Sequence, residues 1–393
     1  AAGGQVGVLP LPTANSREVV LEWVSRNPVA IVAELGEALR EGGCAAVICN
    51  TVKRSQEVYQ TVRDAQLVEG DDLILFHART AFAWRDETEK TVLSRFGKNG
   101  QRPQRAIVVA TQVIEQSLDL DFDVMISDLA PVDLLLQRAG RLHRHPRPPR
   151  PAPIAAPRLY VAVDQEKEFP EFGNDTFVYE AYILLRSLLA LQGRDRLTLP
   201  QDTAGLIEAV YGNGDALPEG LSSAWTAKLA EAQRKMMCEA EKEVFEARKR
   251  LVPPPTDPAL LTSLNADLEE DSAEINTAFQ ALTRLGDPSI SVVCLHASGA
   301  DLNTEPDGSG HVVDLNQKPD TDLTGHLARF TISVTHRKVF DYYQQQEVPL
   351  GWREHPLLRD HRVAILSDGA CQLPGTPYTL RLSHELGLEI LKD

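Results

Sequence analysis

Cysteine is scarce and scattered. Cys44, Cys49, Cys238, Cys294 and Cys371 are spread over 393 residues and form no CxxC pair. That pattern argues against zinc-ribbon and dithiol redox readings and suggests reduced thiols in a cytoplasm. Long apolar runs are missing too. The best, residues 183–191, is interrupted by Arg186 and falls well short of the ~18–20 residues that cross a bilayer. The opening AAGGQVGVLP has neither a basic leader nor an apolar core, so no signal peptide is read there. No GxxxxGK[ST] phosphate loop, no DExH carboxylate pair and no His-Asp dipeptide occurs. The Gly97-Lys98-Asn99 run lacks the spacing and the hydroxyl of a phosphate loop, and the ten His are too dispersed to suggest a metal site. Basic residues are outnumbered, 40 Lys plus Arg against 56 Asp plus Glu, for a formal charge of −16. This excludes a protein coated in nucleic acid but permits a basic groove on an acidic body.

What is present is ordinary globular composition, 43% hydrophobic and 24% charged, at a length that supports two or three domains. Residues 1–17 read as a tail. Asn27 caps a helix with Pro28 at its first position, and Gly42-Gly43 stops it. Thr51 can cap a second helix over 52–63. Short Val/Ile-rich runs at 44–49, 73–76, 106–110, 124–129 and 159–163 alternate with helical stretches at 84–96 and 133–141. This predicts an α/β fold, a parallel sheet covered by helices over 18–165. The six prolines of 146–157 predict an extended surface segment. Helices are expected at 175–191 and 204–211, then a long charged amphipathic linker helix over 222–251, making 166–251 a helical extension. An acidic linker at 252–288 leads to a small α+β C-terminal domain, 289–393, with strands expected at 289–295, 311–315, 330–334, 363–366 and 378–382.

The sharpest motif is Gln137-Arg138-Ala139-Gly140-Arg141-Leu142-His143-Arg144. Arginine recurs at 138, 141, 144, 147 and 150 with no acid among them. Such forks bind phosphate oxygens bidentately. Arg141 and Arg144, three apart, could grip one γ-phosphate. The alternative is a plain basic patch. Upstream, Thr111 and Gln112 follow a predicted strand and lead to Asp119. Asn50 and Thr51 follow another, and His77 and Arg79 a third. These are positions where parallel sheets bind ligands.

Together the four stations resemble the second RecA-like domain of superfamily 2 helicases. The wording ICNTVKRSQEVY, LFHAR, VVATQVIEQSLDLDFD and QRAGRLHR is similar to the CRISPR-associated type I helicase-nuclease family, especially its I-E branch. The layout after residue 144, with SVVCLH and ELGLEIL, resembles it more loosely. The resemblance implies arginine fingers at Arg141 and Arg144, with Gln137 near the γ-phosphate and attacking water. Asp119 falls at the ATP ribose, and Arg138 falls in the ATP site or braces it through a carboxylate. Thr111, Thr51, Asn50, His77 and Arg79 fall on a single-stranded DNA track. It further implies ATP and Mg²⁺ in a complete protein, neither held by this chain alone. The missing phosphate loop fits a C-terminal half whose partners are an N-terminal nuclease domain, a first RecA-like domain, single-stranded DNA and the Cascade surveillance complex. The alternative is a non-catalytic nucleic-acid or partner-binding module with a helicase-like fold. In the last domain, His326, Arg329, His336, Arg337, Lys338, Arg353, His355, Arg359, His361 and Arg362 lie among Phe340, Tyr342, Tyr343 and Trp352. They read either as a stacking track or as surface plus core.

Overall fold

In the computed structural model, residues 16–115, 118–164, 168–212, 220–249, 288–299 and 301–392 are described. The first body is a seven-stranded sheet in the order β3-β4-β2-β5-β6-β1-β7. Its strands are β1 (Arg17–Val24), β2 (Gly43–Ile48), β3 (Leu73–Phe76), β4 (Arg105–Ala110), β5 (Val124–Asp128), β6 (Arg158–Ala162) and β7 (Arg196–Leu199). All neighbours are parallel except β1 and β7.

The central strands are apolar on both sides, and the period-2 alternation divides them cleanly. Cys44, Ala46 and Ile48 of β2 face one layer, and Ala45 and Val47 face the other. The second layer is covered by α1 (Pro28–Ala38) and α2 (Val52–Asp64), through Ile31, Leu35, Val58 and Val62. The first layer is covered by α3 (Phe82–Phe96), α4 (Val132–Ala139), α5 (Ala181–Leu191) and α6 (Gln201–Tyr211), through Val92, Phe96, Leu135, Leu184 and Leu206. Each such buried side chain contributes about 1.5–3 kcal/mol. The predicted caps form: the Asn27 side chain accepts from the Val29 amide, and Thr51 accepts from Arg54.

Two elements depart from the expected layout. β1 was not expected. Its charged positions are matched across strands, Glu22 by Arg158 at 2.5 Å and Glu18 by Arg196 at 2.9 Å, so a strand near the sheet edge carries them at little cost. β7 also joins this sheet, although its residues fall within the stretch read as a helical extension. Residues 175–191 are not one helix, because a short 3₁₀ turn at Gly173–Phe177 precedes α5. The proline segment is more than a surface strap: Ile154 is buried beside α1, and Ala152–Ile154 form a 3₁₀ turn.

The long helix α7 (Ser223–Lys249) lays Trp225, Leu229 and Met236 on Tyr182, Leu185 and Leu189 of α5. Among the described residues no helix is long and apolar enough to cross a membrane. The expected tail and acidic linker lie outside the described residues, apart from Ser16, Arg17 and Pro288.

The second body contains β8 (Ile290–Ser298), β9 (Asp301–Asn303), α8 (Thr321–Arg329), β10 (Thr331–Val334), α9 (Arg337–Gln344) and β11 (Arg362–Leu366). β12 (Ala370–Gln372), β13 (Tyr378–Ser383) and β14 (Gly387–Lys392) form an antiparallel sheet against it. The strand expected at 311–315 reduces to a single bridge between Val312 and Asn303. There the chain bends around the Asn303 amide, which holds the Gly308 and Gly310 carbonyls.

The two bodies are joined by the turn at Glu385–Leu388. The Leu386 carbonyl accepts from Gln56 at 2.8 Å and from His77 at 3.0 Å, and the Leu388 amide donates to the Arg79 carbonyl at 2.9 Å. Tyr59 and Arg63 of α2 reach Glu385. Gly387 has φ +65, and a Cβ there would sit 2.5 Å from the Arg79 carbonyl oxygen, so this contact requires glycine.

Candidate nucleotide and nucleic-acid site

The motif residues fall into two groups. The chain leaving β4 at Thr111 passes back along the α3/α4 face of the sheet, and Asp121 donates its amide to the Phe96 carbonyl at the end of α3. α4 and its continuation run beside it. Three arginines spaced three apart therefore meet Glu115, Leu118 and Asp119. Arg138 pairs with Glu115 at 2.5 Å and donates to the Ser127 hydroxyl at 2.6 Å. Arg141 donates to the Leu118 and Glu115 carbonyls, the latter at 2.7 Å. Arg144 pairs with Asp119 at 2.5 Å.

Exposure rises down this ladder. The Arg138 side chain is 0% exposed, Arg141 is nearly buried, and Arg144 and Asp119 are 45% and 50% exposed. Gln137 is exposed on the same turn. Burial lowers the Arg141 pKa, and the neighbouring Arg144 charge lowers it further. Arg141 thus has carbonyls around it rather than a carboxylate. This gives two cations suited to phosphate oxygens and an acid suited to a hydroxyl. Arg138 does not stand with them: of its two expected places it takes the brace on a carboxylate, not the ATP site. Enclosed on Glu115 and Ser127, it braces the segment from behind.

The rest of the arginine row is neutralised within the fold. Arg147 and Arg150 turn inward to Asp121 and Asp123, where Arg102 joins them. These acids escaped the sequence reading, although DLDFD at 119–123 carries them at alternate positions. Only the fold sets that run opposite the arginines.

The second group stands at the carboxyl ends of β2, β3 and β4. Thr51 is spent partly on capping α2, and Thr111 is buried with its amide on the Phe76 carbonyl. Asn50 and His77 do not fit a DNA-contacting role. Asn50 is 1% exposed, with its amide nitrogen on Leu129 and Asp175 and its backbone on Asp128. It ties the sheet edge together. His77 is 3% exposed: Nε2 donates to Leu386 and Nδ1 accepts from the Arg79 amide. This fixes a neutral tautomer, and burial takes its pKa down to about 4. His77 joins the two bodies. Arg79 is different. Burial lowers its pKa, and no ion pair or hydrogen bond holds its guanidinium among the described residues. Its charge also depresses His336 of the C-terminal body, a smaller effect than that histidine's own burial.

The basic and aromatic residues of the last domain divide into surface and core, with Arg329, Arg337, Lys338, Arg353 and Arg359 exposed. Tyr343 and Trp352 are buried, His355 is on Thr324, Arg353 is on Glu347, and Arg362 is on the carbonyls of Tyr343 and Gln346.

The comparisons with known proteins match both bodies. Residues 41–147 match the model described as CRISPR-associated nuclease/helicase Cas3, C-terminal, and residues 284–388 match the Cas3 C-terminal domain. The chain belongs to the Cas3 family, as its helicase C-terminal half. The CRISPR-associated endonuclease/helicase Cas3 of Thermus thermophilus is 34% identical over 92% of this chain and 43% of its own length. A crystal structure of a CRISPR-associated protein superposes with a TM-score of 0.87 at 39% identity, covering 99% of this chain and 42% of that one. T. fusca Cas3 with AMPPNP gives 0.76 at 29% identity, over 97% of this chain and 43% of that one. A chain of a CRISPR RNA-guided surveillance complex, pre-nicking, gives 0.71 at 28% identity, over 97% and 45%. The chain thus spans less than half the length of each of these matches.

Proposed function

We propose that this chain is the second RecA-like lobe and C-terminal domain of an ATP-driven motor that moves along single-stranded DNA in CRISPR type I interference. The observation that carries this reading is the ladder, which buries Arg138 as a brace and leaves Arg141, Arg144 and Asp119 together on one face. Arg141 and Arg144 act as arginine fingers, Gln137 orients the attacking water, and Asp119 takes the ribose. The Arg144–Asp119 pair is half-exposed, and such pairs hold by about 0–1 kcal/mol. A triphosphate can therefore draw Arg144 away while the ribose takes Asp119. The phosphate loop and the carboxylate for Mg²⁺ come from a first RecA-like lobe, with a nuclease domain beyond it. Thr51 and the uncompensated Arg79 hold DNA phosphates, and the buried Thr111 sets the end of β4 behind them. The surveillance complex Cascade is the recruiting partner, and the cytoplasm is the compartment.

The test is single-strand-DNA-stimulated ATP hydrolysis by this chain alone and mixed with the phosphate-loop lobe of a relative. The expected result is silence alone and activity on mixing. R141A or R144A should lower the mixed rate about 10³-fold or more, the usual worth of a finger. Silence in both would favour a non-catalytic binding module. Activity alone would place a nucleotide site elsewhere and end this reading.

A further inference from the structure

We propose that Asp121 is the positioning residue for the arginine finger Arg144, an inference that rests on the reading of Arg144 given above. The Asp121 carboxylate is fully buried. Its Oδ1 accepts the backbone amide of Arg144 at 2.7 Å. Its Oδ2 accepts from Arg102 at 2.8 Å, Arg147 at 2.9 Å and Arg150 at 3.2 Å. Arg102 also donates to the Asp121 carbonyl at 3.0 Å. One carboxylate thus ties the finger's backbone to three guanidinium groups. Asp123 adds the second anchor, accepting from the Cys44 amide at 2.7 Å and from Arg150 at 2.5 Å. Burial works against the charge on Asp121. The Arg147 hydrogen bond and the charges of Arg102 and Arg150 nevertheless hold its carboxyl below the usual carboxylate range.

The neighbouring backbone is fixed by the same segment. The Phe122 amide donates to the Arg141 carbonyl and the His143 amide to the Phe122 carbonyl, at 3.1 and 3.0 Å. His143 sits at φ +47, a left-handed turn uncommon for a residue with a side chain. That turn lies between Arg141 and Arg144, so both ends need anchoring for the two guanidinium groups to converge. Asp121 anchors the far end. The three inward arginines keep its carboxylate ionised and oriented. They are therefore support for the finger rather than additional phosphate contacts.

The charges give a specific test. Three arginines face two aspartates, a surplus of one positive charge. D121N raises the surplus to two, and adding R147Q returns it to one. In the motor assembled with its phosphate-loop lobe, D121N should lower kcat about 10–100-fold, the scale of a misplaced catalytic group. KM for ATP should stay within about threefold, because Arg144 acts mainly on the transition state. R147Q alone still leaves Asp121 on Arg102 and Arg150 and should lower kcat less than D121N does, and D121N/R147Q should recover part of the lost kcat. Thermal unfolding measured on the same variants separates the roles: a merely structural role would move kcat only in step with Tm, whereas a positioning role lowers kcat in D121N under conditions where it is fully folded. If D121N leaves kcat unchanged while R144A abolishes turnover, this inference fails and the functional reading stands. If R144A has no effect, the functional reading fails first. Should D121N not fold, amide exchange in the wild-type chain decides. The Arg144 amide should be slowed about 10³-fold or more relative to an unstructured chain, and exchange at the rate of an open loop would overturn the inference.

Discussion

Removing Glu115 should expose how much of the ladder depends on one buried pair. Arg138 is wholly enclosed, and Glu115, 9% exposed, supplies the charge that compensates it at 2.5 Å. Glu115→Ala leaves the guanidinium with the Ser127 hydroxyl at 2.6 Å and the Asp128 carbonyl at 3.4 Å. Breaking a buried ion pair on one side costs about 3–5 kcal/mol. The surviving Ser127 contact puts the expected loss near the lower end, about 3 kcal/mol. For a body of this size that corresponds to a fall in Tm of roughly 6–12 °C. Glu115→Gln keeps an acceptor but not the charge, and should lose about half as much. The double variant E115A/R138M removes the stranded cation and should be more stable than E115A, with a coupling energy of about 1.5 kcal/mol or more. Urea unfolding followed by circular dichroism measures all five chains, wild type, E115A, E115Q, R138M and the double variant. The reasoning is refuted if E115A costs less than about 1 kcal/mol, or if the double variant is simply the sum of the singles.

Other expectations follow from the same geometry. His77 takes a proton near pH 6.5 when unfolded and near 4 when folded, so its contribution is complete above about pH 6.5 and declines as pH falls towards 4. The loss amounts to about 3 kcal/mol. H77Q should flatten the pH dependence of unfolding over that window, and an unchanged slope would contradict the buried neutral tautomer. Gly387→Ala places a Cβ against the Arg79 carbonyl in a left-handed residue, which should cost about 2 kcal/mol or more. It should also loosen the C-terminal body, read as faster proteolysis between the bodies. D119N weakens the half-exposed pair with Arg144 and the 3.3 Å contact to His145. Its unfolding midpoint should stay within about 0.5 kcal/mol of wild type, while the ATPase of the assembled motor falls; a large stability loss would show that the pair is structural.

The sequence by itself carried the five adjacent parallel strands β2 to β6, the helices between them and their caps. Apolar runs, periodicity and capping residues are local signals, and Asn27 and Thr51 cap as their positions suggest. It also carried the arginine motif and its family, because QRAGRLHR and DLDFD are contiguous words. It did not carry β1, whose glutamates are matched only by Arg158 and Arg196 on other strands. It could not show that Arg147 and Arg150 turn inward as supports, because that depends on acids more than 20 residues away. Nor could it show that Asn50 and His77 are structural. Asn50 is taken up by the end of β5 and by Asp175 of a 3₁₀ turn, and His77 by a turn more than 300 residues further along the chain. Local sequence fixes which groups can ionise, cap or bury. Only the tertiary fold decides which charges are already neutralised, and so which remain for a ligand.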